Sequence, residues 1–245
     1  MKRRIDSLAS WVLTHFELSQ VPPIDIETLA KRMGVLDITP ADLIEDGHLE
    51  YDPGRTLIRV RNDIGNERRR FTIAHELGHL LLLDPDTKVV VHRTRNSASN
   101  EERLCDEIAA ALLLPADWIS DRYAARPHNL STVRHLAKMT DTSLSAVVAR
   151  LQQVLYWPEM LLRWRFDRAK WRFVGGAGVP VGLHGCIRSA AGTSQVLQDL
   201  PRGRDIRASV PVLIRDRPTE LSGSVSVSGR SALVLTIPPQ QTRGR

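Results

Sequence analysis

The sequence predicts an α+β protein with a mainly helical domain over residues 1–156 and a small β-rich domain over residues 157–245. In the first part, apolar residues recur at helical spacing over several segments, which is typical of helices with one buried face. After about residue 160, short runs of Val, Leu and Ile alternate with Gly, Pro, Ser and Arg, which is typical of strands joined by turns. The change of pattern indicates two domains rather than one.

Capping and breaking residues mark the boundaries of the elements in the first domain. Asp84-Pro85 ends the longest helix, because proline cannot continue a helix. Ser99 is a candidate N-cap, with Glu101 and Glu102 in the first turn that follows it. The predicted elements are a helix over 5–18, a short helix from Asp25 to Gly34, strands within 35–61, and helices over 66–83, over 99–114 and, as a pair, over 130–156.

Two short aromatic and basic segments, residues 164–166 and 171–173, open the second domain on either side of a turn-like stretch. On paired strands their Trp and Phe side chains share one face, and Arg165 and Arg172 share the other. Aromatic rings beside arginines can stack on and neutralise single-stranded nucleic acid. Because the two faces separate the rings from the charges, we favour a hairpin with its aromatics in a core and its arginines in water. Further strands are predicted over 208–214, 221–227 and 232–237.

Composition and charge exclude several classes of protein. The chain has 245 residues, a net charge of +6 and a hydrophobic fraction of 42%, which are ordinary values for a globular protein. No apolar run approaches the roughly 18–20 residues that a bilayer span needs, so we expect no membrane association. The basic start of the chain lacks the apolar core of a signal peptide, and two cysteines make no disulfide framework. We therefore expect a cytoplasmic protein.

The net charge is unevenly distributed along the chain. Residues 1–129 carry 17 basic and 21 acidic side chains, a net charge of −4. Residues 130–245 carry 17 basic and 7 acidic side chains, a net charge of +10. Two parts of opposite charge are typical of units with different partners, and the basic part is a candidate region for binding nucleic acid.

The motif that carries chemistry, His75-Glu76-Leu77-Gly78-His79, lies inside the predicted helix over 66–83. Helical geometry places His75 and His79 one turn apart on the same face, so both imidazoles can reach one metal ion. Glu76 projects from the adjoining edge, where it can reach a water that Zn²⁺ has made more acidic and accept its proton. Gly78 costs helix stability, which indicates the close approach of a neighbouring backbone or of substrate. The alternative is a helix whose two histidines bond only to solvent or backbone.

A catalytic zinc ion usually has three protein ligands, so a third ligand must come from another element. Glu102 is the preferred candidate, and Asp106 lies one turn further on the same face, where it can orient a ligand histidine. Glu101 is the alternative ligand, and both glutamates also fit simple stabilisation of a helix dipole. Cys105 is expected to be a small buried packing residue and His92 a solvated loop residue. The remaining histidines, which have no partner at metal-binding spacing and are expected to be structural, are His15, His48, His128, His135 and His184.

The two helical motifs resemble those of the ImmA/IrrE family of bacterial zinc metallopeptidases. The resemblance is carried by residues 70–80, RFTIAHELGHL, and residues 102–115, ERLCDEIAAALLLP, and it extends over about residues 22–156. Ile108 stands where the family usually has Phe, a change that keeps the position apolar. The second domain does not resemble the GAF-like sensor of the longer family members, so the resemblance implies nothing about regulation.

This resemblance implies a zincin-like fold of the gluzincin type, with His75, His79 and Glu102 as zinc ligands and Glu76 as the general base. It also implies a zinc-dependent endopeptidase that cleaves a helix-turn-helix repressor encoded nearby, which relieves repression of mobile-element or stress-response genes. The alternative function is a regulatory nucleic-acid-binding protein with a structural or vestigial zinc site. The helices within 130–156 have a helix-turn-helix-like pattern, but few of their side chains suit base contacts, so we expect a helical extension of the first domain.

Overall fold

The computed structural model describes residues 2–52, 55–83 and 97–239, and its chain divides into two compact units. The first unit comprises Met1–Ala124 and Ala137–Ser143, and the second comprises Ala125–Leu136 and Leu144–Arg245. Helices and strands occur in both, which confirms the predicted α+β class. Within the described ranges, every helix is too short or too polar to act as a membrane span.

In its described residues, the first unit combines five helices with a three-stranded sheet. Its strand order is β1-β3-β2, with β1 parallel and β2 antiparallel to β3, so β2 forms one edge of the sheet. Helix α3 packs against β2, β3 and α4. The elements are α1 (Lys2–His15), α2 (Ile26–Arg32), β1 (Val35–Ala41), β2 (Gly47–Asp52), β3 (Arg55–Arg61), α3 (Asn66–Leu83), α4 (Ser97–Leu113) and α5 (Ala116–Tyr123).

The contact between α3 and α4 is unusually close at Gly78. A Cβ atom at this position would lie 3.0 Å from the Cα atom and 3.1 Å from the Cβ atom of Cys105. Cys105 is completely buried, as expected for a small packing residue. The absence of a side chain at Gly78 therefore lets the two helix backbones approach, which is the first of the two explanations that the sequence offered for this glycine.

The beginning of α3 is held in place by Arg70, the arginine at the start of the RFT motif. Its guanidinium donates hydrogen bonds to the carbonyl oxygens of Ile24, at 2.8 Å, and Asp141, at 3.2 Å. It also forms an ion pair with the carboxylate of Asp141 at 3.4 Å. Asn66 donates a further hydrogen bond to the same carboxylate at 2.7 Å. These contacts tie α3 to two distant segments of the first unit and fix its direction.

The second unit is built on a six-stranded sheet with the order β5-β4-β9-β8-β7-β6, in which every pair is antiparallel. Ser189, on the last strand in this order, accepts a hydrogen bond from the indole N–H of Trp164 and donates one to the carbonyl oxygen of Trp171. The two edges of the sheet therefore approach each other around an apolar core. The elements are α6 (Leu130–Thr140, shared with the first unit), α7 (Leu144–Val154), β4 (Met160–Asp167), β5 (Lys170–Ala177), β6 (Ile187–Ser189), α8 (Thr193–Asp199), β7 (Asp205–Ile214), β8 (Arg217–Ser228) and β9 (Ser231–Thr236).

The hairpin of β4 and β5 has the two faces that the sequence predicts. Trp164 pairs with Phe173, and Phe166 pairs with Trp171 across the two strands. Both tryptophans are buried in the core of the second unit, and both phenylalanines pack against it. Arg165 and its cross-strand partner Arg172 are exposed on the other face.

The structure differs from the sequence prediction in two places. Helix α4 begins at Ser97, so Ser99 is inside the helix rather than at its N-cap, and Glu101 and Glu102 lie beyond the first turn. The predicted domain boundary after residue 156 also differs from the observed division, because α7 packs against β4 and β5 and belongs to the second unit. The predicted helix end at Asp84-Pro85 lies outside the described residues.

Gly78→Ala is expected to destabilise the protein by about 1–2 kcal/mol, because overpacking against the α4 backbone outweighs the better helix propensity of alanine. Gly65→Ala is the matched control, since a Cβ atom at Gly65 meets no atom within 4 Å. Urea unfolding of both variants measures the difference. A Gly78→Ala protein as stable as wild type would show that the helix contact is not tight.

Candidate metal centre

Helix α3 presents both motif histidines to one cleft. Their ring centroids are 5.0 Å apart, as expected for residues one helical turn apart. The side chains behind them are buried and hold this face of the helix in position: Thr72, Ile73, Ala74, Leu77 and Leu81. The spacing in the sequence therefore becomes a pair of imidazoles with a common direction.

Helix α4 supplies a carboxylate to both rings. One oxygen of Glu102 lies 3.2 Å from Nε2 of His75, and the other lies 3.4 Å from Nε2 of His79. One ligand atom from each of the three residues lies within 4.8 Å of the others. The structure thus brings together the three residues that the sequence singled out as metal ligands.

The donor set fits a metal ion with one open coordination position. Two imidazole nitrogens and one carboxylate oxygen are a known catalytic combination for zinc. Ligand atoms about 2.0–2.1 Å from one tetrahedral zinc ion are about 3.3–3.4 Å apart. The distances from the two carboxylate oxygens of Glu102 to the histidine nitrogens, 3.2 Å from Oε2 to His75 and 3.4 Å from Oε1 to His79, are close to this separation.

A second carboxylate contacts the outer nitrogen of each histidine. Asp106 lies 2.9 Å from Nδ1 of His75, which is the contact predicted from its position one turn after Glu102. Glu101 lies 3.3 Å from Nδ1 of His79, a role that the sequence reasoning missed. A general rule could have indicated this contact, because a ligand histidine usually donates its second N–H to a carboxylate or carbonyl. Two ligand histidines therefore call for two such acceptors.

These carboxylates affect the proton affinity of His75. Burial lowers the pKa of His75, but the hydrogen bond that its Nδ1–H donates to Asp106 and the negative charges of Asp106, Glu76 and Glu102 outweigh burial, so the pKa is raised. The same acceptor fixes which ring nitrogen carries the proton. Nε2 is left free for the cleft, where Glu102 already lies.

Glu76 is buried beside the two histidines, and only 6% of its surface is exposed. Burial raises the pKa of Glu76, and the neighbouring imidazoles of His75 and His79 oppose this rise. A Cβ atom at Gly47 would lie 2.9 Å from Oε1 of Glu76, so the glycine lets strand β2 lie directly against this carboxylate. A buried carboxylate beside two imidazoles is suited to accepting and returning a proton.

The cleft has a volume of about 570 Å³ and contains all of the predicted site residues. One wall consists of residues 45–49, which include the start of β2, and the others come from α3 and α4. Because β2 is an edge strand of the described sheet, its outer backbone groups face away from β3. An extended polypeptide could pair with such an edge while it lies in the cleft.

Comparisons with known proteins agree with this geometry. A family model described as Peptidase_M78, IrrE N-terminal-like domain, matches residues 30–152, which is half of the chain. The chain belongs to the Peptidase_M78 family. This confirms the family that the two helical motifs predicted, and the match includes both α3 and α4.

Two curated metalloproteases are similar to part of the chain. The radiation response metalloprotease IrrE of Deinococcus deserti is 35% identical over 107 residues, and that of Deinococcus radiodurans is 32% identical over 107 residues. The aligned segment is 42% of this chain in both cases, but only 38% and 33% of the two relatives. The chain therefore spans less than two fifths of the length of these relatives.

One solved structure resembles nearly the whole chain in fold. It is a Mycobacterium tuberculosis transcriptional regulator, with a TM-score of 0.52 and 14% sequence identity. The likeness covers 94% of this chain and 74% of the other. At this identity the comparison concerns the fold alone.

The structure describes two of three further residues for which the sequence analysis weighed a role at the site. Cys105 lies at the contact of α3 and α4, and burial raises the pKa of its thiol, which disfavours a thiolate ligand. His48, for which the sequence indicated no role, lies in the wall of the cleft. His92 lies outside the described residues.

Removing either outer carboxylate is expected to weaken metal binding in the Peptidase_M78 domain. Asp106→Ala and Glu101→Ala each delete the partner of one histidine Nδ1, a loss that typically costs 10–100-fold in metal affinity. Glu107→Ala on the same helix removes an equal charge outside the cleft and serves as the control. Competition with a zinc-chelating dye measures the affinities. Equal affinities for all three variants would contradict the roles of Asp106 and Glu101.

Proposed function

We propose that this chain is a zinc-dependent endopeptidase of the gluzincin type. The observation that carries the proposal is the convergence of His75, His79 and Glu102 on one point beside the buried carboxylate of Glu76. Family membership and the names of the two curated relatives support a metalloprotease. Imidazole and carboxylate donors favour zinc over magnesium or calcium, which prefer ligand sets made of oxygen alone.

The residues around the cleft suit the separate tasks of peptide hydrolysis. A bound zinc ion supplies Lewis acidity, which makes both a water molecule and the peptide carbonyl more reactive. Glu76 accepts the proton of the attacking water and returns it to the nitrogen of the leaving amine. Asp106 and Glu101 hold the two histidine rings in orientation.

The proposed mode of substrate binding uses the edge of β2. A polypeptide segment in extended conformation pairs with this strand and places one of its internal peptide bonds near Glu76. Gly47 contributes by keeping β2 close to α3. Because an added strand recognises mainly backbone, this mode requires an unfolded or flexible segment in the substrate rather than a particular side chain.

A helix-turn-helix repressor is the proposed protein substrate. This part of the proposal is supported by the resemblance of the two helical motifs to the ImmA/IrrE family, and it includes relief of repression at mobile-element or stress-response genes. Cleavage within a flexible segment of such a repressor would separate its DNA-binding part from the rest of the chain.

The alternative function, a nucleic-acid-binding regulator with a structural zinc site, is less well supported. Structural zinc sites usually have four protein ligands, whereas three donors converge in the described part of the chain. A structural site also gives no reason for burying the carboxylate of Glu76, since burying a charged group costs stability. The observation that favours this alternative is the charge of +10 over residues 130–245.

Glu76→Gln is expected to retain zinc but to lose activity by about 10²–10⁴-fold, because the amide cannot accept the proton of water. Glu67→Gln, at an exposed position in the first turn of α3, is the matched control and should cleave at the wild-type rate. Zinc content is measured by elemental analysis, and cleavage of the repressor encoded beside the gene is followed by gel and mass spectrometry.

Two outcomes of this experiment would reject the proposal. A Glu76→Gln protein that binds zinc and cleaves at the wild-type rate would exclude Glu76 as the general base. Products that differ from the substrate only by residues lost from one end would exclude an endopeptidase. A zinc-loaded wild-type protein that cleaves casein but spares the repressor would reject only the proposed substrate.

A further inference from the structure

The outer face of the β4–β5 hairpin changes character along the strands. On β4, Leu161 faces outward and is completely buried, in the region where α7 packs against β4 and β5. The next outward residues, Arg163 and Arg165, are exposed. On β5 the outward residues Lys170 and Arg172 are exposed as well. A covered apolar surface is therefore followed by an open basic surface.

This basic face contains five cationic side chains on one hairpin: Arg163, Arg165, Arg168, Lys170 and Arg172. Arg165 and Arg172 occupy directly opposed positions on adjacent antiparallel strands. Like charges in this arrangement repel each other and destabilise the sheet. Arg168, in the turn, is also exposed, and Arg230 lies in the adjoining β8–β9 turn, where its carbonyl accepts a hydrogen bond from the backbone of Phe166.

Few carboxylates neutralise this face. Asp167 lies 3.7 Å from Arg172, and both side chains of this pair are more than half exposed, so the ion pair contributes little. Among the described residues, no other carboxylate lies within 4.0 Å of the five cationic groups. The opposed arginines therefore remain a cost in the isolated protein, which a bound polyanion would remove.

The aromatic residues of the hairpin are not available to this face. Trp164 and Trp171 are each only 1% exposed, and Phe166 and Phe173 pack against the same core. Single-stranded nucleic acid binds mainly through bases stacked on exposed rings, so this surface does not suit it. An acidic protein partner would need an apolar anchor at the centre of the interface, and on this hairpin only Val174 is a large exposed apolar residue.

The basic face also consists mainly of arginine. Guanidinium groups form planar, bidentate hydrogen bonds with phosphate oxygens and are always charged at physiological pH. Arg163 and Arg165 are two residues apart on one strand, about 6.7 Å along the chain, so they can contact different phosphates of one backbone. A surface with charges but no exposed rings matches the backbone of a duplex, whose bases are stacked inside.

We propose that this basic face of the second unit binds the phosphate backbone of duplex nucleic acid without reading its sequence. The proposal does not depend on the peptidase function, because none of these residues lies in the cleft of the first unit. Such contacts supply affinity but do not distinguish one base sequence from another, as is general for contacts with phosphate.

The test measures binding of the full chain to a fluorescent 25-base-pair duplex of arbitrary sequence over a range of salt concentrations. About five phosphate contacts predict a slope of roughly −4.5 in a plot of log affinity against log salt. The variant R163Q/R165Q/R172Q should reduce the magnitude of this slope by about 2.7 and weaken binding at 100 mM salt by roughly tenfold or more. Zinc content and thermal unfolding verify that the variant is folded.

The matched control is R204Q/R207Q/R217Q, which removes the same charge from exposed positions outside the hairpin. Equal loss of binding in both variants would mean that net charge, not this face, attracts the duplex, and would overturn the proposal. Tighter binding to a single strand than to the duplex, or a wild-type slope near zero, would also overturn it. Parallel DNA and RNA duplexes show which nucleic acid is the ligand, and Glu76→Gln should bind either as wild type does.

Discussion

The backbone contact between α3 and α4 is the constraint on which the metal centre depends. Gly78 directly precedes His79 on α3, and Cys105 lies between Glu102 and Asp106 on α4. Where the two small residues meet, the helices are close enough for carboxylates of α4 to reach imidazoles of α3. A larger side chain at either position would separate these helices, and the three donor atoms would no longer converge within 4.8 Å.

Burial gives this cleft its chemistry as well as its geometry. Glu76 is surrounded by helix and strand, so its charge is supported mainly by the neighbouring imidazoles, and its pKa is raised. In the second unit, by contrast, exposed arginines surround a core of tryptophan and aliphatic side chains. The net charge of +6 thus combines −4 over residues 1–129 with +10 over residues 130–245.

The parts of the site that depend on local geometry could be predicted from the sequence, and the parts that depend on packing could not. The alignment of His75 and His79 follows from helical periodicity alone, and the hairpin faces at Trp164 and Arg165 follow from the alternation of a strand. The contact of Glu101 with His79 depends on the angle and distance between two helices, which no local pattern specifies. The division of the chain depends in the same way on the packing of α7 against the second sheet, which its own amphipathic pattern does not identify.

X-ray absorption spectroscopy at the zinc edge of the zinc-loaded full chain tests the metal centre most directly. We expect two imidazole nitrogens together with oxygen donors at about 2.0–2.1 Å, and no sulfur neighbour at about 2.3 Å. These values would match ligation by His75, His79 and Glu102. A sulfur neighbour would place Cys105 or Cys186 at the metal, and fewer than two imidazoles would remove a histidine of α3 from it. Either result would contradict ligation by His75, His79 and Glu102.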